Sequence, residues 1–301
     1  MQSLVAVISL SAVKRNFCAI AAETKKPLIA VVKDDAYGHG AEAVALALEG
    51  RANAFAVSTV DEGAALRTAG VTKDILVFTP PLDKEDALRM LAYDLISSVT
   101  SLSSLRLIAR AGERTGKPPR AHLKVNTGMN RYGVLPQRAA FAAREAKRLN
   151  IALEGVYSHL YAAEDKSALQ AQTELFQKAA DRVREIFPDC IRHLSSTGGI
   201  LSGDGFDAVR AGIALYGYLP AGFEGRLSLE PAMKLYATVA HACRQSGGGI
   251  GYGAADRDYG SLHTLRLGYG DGFFRAGIEG SPNKLCMDAC VQVGKGRFGR
   301  K

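Results

Sequence analysis

The chain has 301 residues, a hydrophobic fraction of 47%, a charged fraction of 23% and a net charge of +8, the balance of a soluble globular protein with one large domain or two smaller ones. No apolar stretch is long enough to span a membrane. The five cysteines, Cys18, Cys190, Cys243, Cys286 and Cys290, are an odd and scattered set, which argues against a disulfide framework and for a reducing compartment.

Residues 2–9 read as a strand. They are not a secretory signal, because Lys14 and Arg15 follow the apolar run instead of preceding it and no cleavage site comes after. A helix is expected over 11–23 with Ser11 as its N-cap. Next comes Leu28-Ile29-Ala30-Val31-Val32, a continuous apolar run rich in β-branched residues, the pattern of a strand buried on both faces. It ends abruptly at Lys33. An amine at the end of a buried strand is partly desolvated, which favours its neutral, nucleophilic form and makes it a candidate for Schiff-base chemistry. A lysine that snorkels to water is the alternative.

Further strands are expected at 53–59, 74–79, 95–100, 120–126, 154–160, 191–196 and 207–210. Helical patterns lie between most of them, clearest at 61–69, 136–149 and 165–187, the second opening on proline. Eight strands alternating with helices predict parallel strands with helical crossovers, hence a (β/α)8 barrel, with an open doubly wound sheet as the alternative. Arg106, Arg110 and Arg114 form a basic stripe on one helix. Without interleaved aromatic residues it reads as a solvated face, and no nucleic-acid partner is expected.

After Pro220 glycine becomes dense and β-type runs replace helices, at 233–243, 261–269 and 285–293. This predicts a barrel over 10–224 and a mostly β domain over 225–301, joined by the strand at 2–9. The last residues, Gly-Lys-Gly-Arg-Phe-Gly-Arg-Lys, bury nothing, so that β domain is expected to be incomplete. Cys286 and Cys290 form a Cys-x3-Cys pair with no further ligands at suitable spacing, so no metal site is expected.

In a barrel, chemistry collects at the C-terminal strand ends. The polar residues there are Lys33 and Tyr37; Lys124, Asn126 and Arg131; His159; Ser195, Ser196 and Thr197; and Arg210. Gly212, just after the last strand, lets backbone N–H groups approach an anion. A lysine beside a phosphate cradle is the arrangement that pyridoxal 5'-phosphate (PLP) requires.

Several motifs carry a resemblance to a known family. They are Ala30-Val31-Val32-Lys33-Asp34-Asp35-Ala36-Tyr37-Gly38-His39-Gly40, then 122–131 (His-Leu-Lys-Val-Asn-Thr-Gly-Met-Asn-Arg) and 209–217 (Val-Arg-Ala-Gly-Ile-Ala-Leu-Tyr-Gly). Gly251-Tyr252-Gly253, Gly268-Tyr269-Gly270-Asp271-Gly272 and Cys286-Met287-Asp288 follow in the same order. The chain resembles the alanine racemase family, PLP enzymes with a (β/α)8 barrel and a C-terminal β domain.

The resemblance implies that Lys33 holds PLP and acts as one base, and that Tyr252 of the partner in a homodimer with shared active sites is the other. Tyr37, Ser196, Thr197 and the backbone of Gly212 and Ile213 would hold the phosphate. Arg210 would face the ring nitrogen, keep it unprotonated and weaken the ring as an electron sink. His159 would lie by the ring, while Arg131 and the backbone of Met287 would meet the substrate carboxylate. Lys124 (carbamylated in many relatives), Tyr269 and Asp288 would support them. Interconversion of L- and D-alanine in a bacterial cytoplasm, for peptidoglycan, is the implied activity.

The sequence departs from the family at Asp34, Asn126 and the Ser196-Thr197 pair, in a trimmed loop after Arg275, and at its end. A racemase for serine or another amino acid, and a truncated PLP-binding protein without racemase activity, are the alternatives. A decarboxylase on the same barrel is disfavoured by the motifs at 251–253 and 286–288.

Overall fold

The computed structural model describes residues 4–203, 206–245, 247–255, 257, 259–274 and 283–294. Residues 2 and 3 of the expected first strand, the segment after Arg275 and the chain from 295 lie outside them. The chain divides into two compact units, Ser9–Ala232 and Met1–Ile8 with Met233–Lys301.

The larger unit is an eight-stranded parallel sheet. Its strands are β2 (Leu28–Val31), β3 (Ala54–Val57), β4 (Asp74–Val77), β5 (Ile96–Val99), β6 (Arg120–Lys124), β7 (Ala152–Tyr157), β8 (Ile191–His193) and β9 (Val209–Ala211). The order β8-β7-β6-β5-β4-β3-β2-β9 runs round a nearly closed barrel, in which the first and last strands pair, Ile29 opposite Arg210. Between β8 and β9 no regular ladder forms. Single backbone bonds bridge the seam instead, Ala208 N to Arg192 O at 3.2 Å and Arg210 N to Ser195 O at 3.0 Å. The Arg192 guanidinium adds a forked pair of bonds to Asp207, both 3.0 Å.

Nine α-helices are described in this unit: α1 (Leu10–Thr24), α2 (Lys33–Gly38), α3 (Ala41–Leu48), α4 (Val60–Thr68), α5 (Lys84–Ala92), α6 (Leu102–Thr115), α7 (Ala139–Arg148), α8 (Lys166–Arg184) and α9 (Thr197–Leu201). Their apolar faces cover the barrel through Phe17, Leu48, Leu66, Met90, Ile108 and Phe176, all buried. Side-chain caps fix the helix starts. Thr59 and Glu62 form a reciprocal box on α4, and Asp83 and Asp165 cap α5 and α8.

Several boundaries differ from the sequence reading. Ser9, not Ser11, caps α1, because its extended backbone turns its hydroxyl onto Ala12 N. The helix expected at 136 opens with a 3-10 turn, Pro136–Arg138. Residues 225–232 belong with the barrel and not with the β unit, since Asn16 exchanges two hydrogen bonds with the Glu230 backbone (both 2.8 Å) and Ala232 N donates to Tyr216 O.

In the smaller unit β1 (Leu4–Ile8) pairs antiparallel with β10 (Met233–Ala237). The single strand expected over 233–243 breaks at Thr238. Its second half, β11 (Val239–Arg244), enters another sheet with β14 (Ser261–Leu265), β16 (Cys290–Gly294) and β15 (Lys284–Leu285). A short hairpin joins β12 (Gly249–Ile250) to β13 (Gly253–Ala254).

Candidate active site

The segment after β2 has an unusual backbone. α2 contains four successive non-glycine residues in the left-handed region, Asp34, Asp35, Ala36 and Tyr37, with φ between 51° and 54°. Each costs about 1–2 kcal/mol relative to the right-handed form, so the surroundings must hold the turn in place. Glu62 Oε1 accepts from Asp34 N, Asp35 Oδ1 accepts from Ala41 N at 2.7 Å, and Gly40 N donates to Asp35 O at 2.9 Å. His39 Nδ1 lies 3.0 Å from the carbonyls of both Ala36 and Tyr37. The turn carries Lys33 and Tyr37 to the same pocket.

That pocket, about 260 Å³, opens at the C-terminal ends of the strands. It gathers Lys33, Tyr37, Lys124, Arg131, His159, Ser196, Thr197, Arg210, Gly212 and Ile213, whereas Asn126 and Ser195, also expected at the strand ends, do not line it. Its lining holds two lysines and two arginines and no carboxylate. Lys33 Nζ has its acidic contact outside the lining, at 3.4 Å from Asp34. A hypothetical Cβ on Gly212 would stand 2.7 Å from Tyr37 Oη, so the phenol and the 212 backbone can close together only because that residue is glycine.

Arg210 is 2% exposed and rigidly held. It donates to the carbonyls of His193, Ser158 and Leu194 at 2.9, 2.7 and 2.8 Å, and to His193 Nδ1 at 2.7 Å. His159 Nδ1 lies 3.3 Å away. Burial first, and then the positive charge of Arg210, drive the pKa of His193 far down and that of His159 to about 2. Both imidazoles are therefore neutral near pH 7.

Lys124 ends β6, buried, with Nζ 4.6 Å from the Tyr157 ring centroid. Burial, Arg210 and Arg131 push its pKa well below the ordinary lysine value. The next residues double back on the strand. Asn126 N donates to Val134 O, Val134 N donates to Lys124 O (both 2.9 Å), and Asn126 Oδ1 caps the amides of Gly128 and Asn130. This loop delivers Arg131 to the pocket.

Tyr252, Tyr269, Met287 and Asp288 belong to the smaller unit. There Tyr269 N donates to Cys286 O at 2.9 Å and Gly270 N to Met287 O at 2.8 Å. A Cβ on Gly251 would touch Lys284 and Cys286. The three glycine- and cysteine-bearing motifs, far apart in sequence, thus meet in one place. Tyr252 stands there 91% exposed.

The sequence reading missed Phe78, Tyr132 and Tyr157 in the pocket lining, and it missed His122 and His193 beneath it. A signal existed for His122. Arg120, His122 and Lys124 occupy alternate positions of β6 and so share one face.

Fold and site together define a parallel barrel with a cation-rich, carboxylate-free pocket beside a strand-end amine. Residues 8–220 match the family model for the alanine racemase N-terminal domain. The chain is 34% identical to the alanine racemase of Methanococcus maripaludis, over 95% of this chain and 83% of that protein. It is 35% identical to that of Clostridium novyi, over 88% and 75%. Among solved structures, alanine racemase of Clostridium difficile 630 superposes with a TM-score of 0.87 at 29% identity, covering 100% of this chain and 85% of that one. The same enzyme in complex with cycloserine gives 0.86 at 27%, covering 100% and 84%. The chain belongs to the alanine racemase family and is an isomerase.

Proposed function

We propose that this chain interconverts L- and D-alanine with PLP held in the upper barrel pocket. The observation that carries the reading is the Lys33 amine in a pocket lined by two lysines, two arginines and no carboxylate, with Arg210 buried and bound to three carbonyls. The donor set fits the cofactor. Tyr37, Ser196, Thr197 and the backbone of Gly212 and Ile213 would take its phosphate, Arg210 its ring nitrogen, and His159 would lie by the ring. When bound, PLP draws electron density from the substrate's α carbon and makes the proton there removable.

The chain's own residues then do the rest. Lys33 would hold the cofactor and move a proton at one face of the α carbon, while Tyr252 of a second copy of the chain would serve the opposite face. Inverting a centre requires removal on one side and delivery on the other, and two bases supply both. Arg131, braced by Lys124, and the Met287 backbone would orient the substrate carboxylate, with Tyr269 and Asp288 supporting that element. Arg210 donates hydrogen bonds but gives up no proton near neutrality. The neutral imidazoles around it leave the ring nitrogen without an acid. D-alanine made this way in a bacterial cytoplasm would serve peptidoglycan.

A chiral assay of L-alanine with added PLP, beside L-serine, tests this. D-alanine should form much faster than D-serine, and borohydride should fix the cofactor on Lys33. No D-alanine above the level of a Lys33→Ala variant, or label on another residue, overturns the reading.

A further inference from the structure

The barrel has a second, larger cavity at its other mouth, about 620 Å³, where the strands begin. Ile29, Leu76, Ile96 and Ala208 form its inner wall and belong to one packed apolar cluster. Two carboxylates at its edge, Asp74 and Glu154, pair with Arg120, each at 2.8 Å, and Lys147 and Asp189 also line it. Asn53 Oδ1 is bound to Leu28 N.

One buried polar side chain breaks the apolar wall. His122 is 4% exposed and lines the cavity. Its ring fits because position 155 is glycine, where a Cβ would come within 2.6 Å of it. Its Nδ1 lies 2.9 Å from His193 Nε2. The direction of this bond follows from the other end of the chain of groups. Arg210 can only donate, so His193 Nδ1 accepts and the neutral His193 carries its proton on Nε2. That proton is donated to His122 Nδ1. Burial and two arginines take the His122 pKa down to about 3, so this ring too is neutral and carries its proton on Nε2. Among the described residues nothing accepts from that N–H, and the cavity is the space left for it.

We propose that the lower cavity is a binding site for a small neutral molecule with an apolar body and one strong hydrogen-bond acceptor, which takes the His122 Nε2–H. The apolar wall disfavours a charged ligand, whose desolvation would go uncompensated. The His122 Nε2 atom is not sealed from solvent, so a plain hydrocarbon that displaced water there would leave the donor unmade at about 1–3 kcal/mol, a cost that a ligand with an acceptor avoids. The site stands apart from the upper pocket, and its test does not depend on how that pocket is read.

Benzamide, benzoate and benzylammonium serve as probes of one shape and three charges. Binding is followed by calorimetry and ligand-observed NMR on the intact holoenzyme. Benzamide should bind at about millimolar dissociation constant, as its size allows, and both ions at least tenfold more weakly. His122→Phe should weaken benzamide at least tenfold. Ala54→Phe fills the cavity from its wall, leaves the imidazole chain in place, and should abolish binding even where His122→Phe fails to fold. Absence of benzamide binding at 10 mM (about tenfold above that estimate), equal binding of benzoate, or binding unchanged by Ala54→Phe overturns the proposal.

Discussion

Glu62 Oε1 accepts the Asp34 amide at 2.5 Å, and its Oε2 accepts the amides of Ser58 and Thr59 at 2.7 and 3.0 Å. One carboxylate on α4 thus joins the end of β3 to the left-handed turn that follows Lys33. A buried or half-buried anion shared among backbone donors is well placed to hold a strained backbone, because charge-assisted bonds are roughly twice as strong as neutral ones.

Glu62→Ala removes the Glu62 half of the α4 capping box and the Asp34 anchor together, leaving the Thr59 cap in place. The expected loss is about 2–3 kcal/mol of stability, read as a lowered thermal midpoint. Racemase activity should fall further than stability does. Glu62→Gln keeps one oxygen acceptor and should recover part of both. Equal midpoints for wild type and Glu62→Ala would show that the turn is held without it.

Gly212→Ala places a methyl group 2.7 Å from Tyr37 Oη. The fold should survive, because the displaced phenol borders the pocket. PLP affinity, titrated by absorbance, should drop at least tenfold, as expected for about 1.4 kcal/mol or more of misfit. Unchanged affinity would remove Gly212 and Tyr37 from the proposed phosphate cradle.

His122 and His159 have pKa values lowered to about 3 and about 2, and His193 is shifted in the same direction. Burial is the first cause at all three, and the charge of Arg210 acts on each, with Arg120, Lys124, Arg131 and Lys33 contributing at one or another of them. In the folded chain they stay neutral, whereas in the unfolded chain they take up protons below about pH 6.5. Stability should therefore be fully present above that pH and fall as the pH drops, by up to about 1.4 kcal/mol per pH unit for each ring. Denaturant midpoints between pH 7.5 and about 5 test this. A midpoint that is flat or rises on acidification would contradict it.

Burial, then Arg210 and Arg131, hold the Lys124 pKa well below the ordinary lysine value, which enlarges its share of free amine. The free amine reacts with carbon dioxide, releasing a proton, and the resulting carbamate would place an anion beside Arg131 in the pocket lining. Protein equilibrated with 13C-bicarbonate should show a carbamate resonance, and Lys124→Ala should abolish it. Chloride should restore part of the activity of that variant. A resonance that persists in Lys124→Ala would place the modification elsewhere.

The strands of this barrel were readable because burial on both faces leaves a near-continuous apolar run, and Lys33, Lys124 and Arg210 announce strand ends by interrupting or closing one. The left-handed turn was not readable. Asp34, Asp35, Ala36 and Tyr37 have no intrinsic preference strong enough to predict it, and a distant side chain, Glu62, holds it. Ser97 and Ser98 illustrate the opposite difficulty. They are polar and yet fully buried in β5, because Met90, Val77 and Tyr157 provide partners from other elements. The break at Thr238 was hidden for a related reason, since 233–243 is β-like throughout and only its two sets of partners divide it.

The pairing of β2 with β9 has a consequence for how the molecule comes into being. Lys33 follows the first barrel strand to leave the ribosome, and Arg210 lies on the last, in direct register with Ile29. Until β9 is synthesised, β2 presents a bare edge, and the strained turn beside it lacks the wall that Gly212 and Tyr216 supply. Assembly of the reactive pocket is thus coupled to completion of the barrel. A barrel lacking β9 would leave Ile29 unpaired on that side and Lys33 without the Arg210 and Gly212 wall of its pocket.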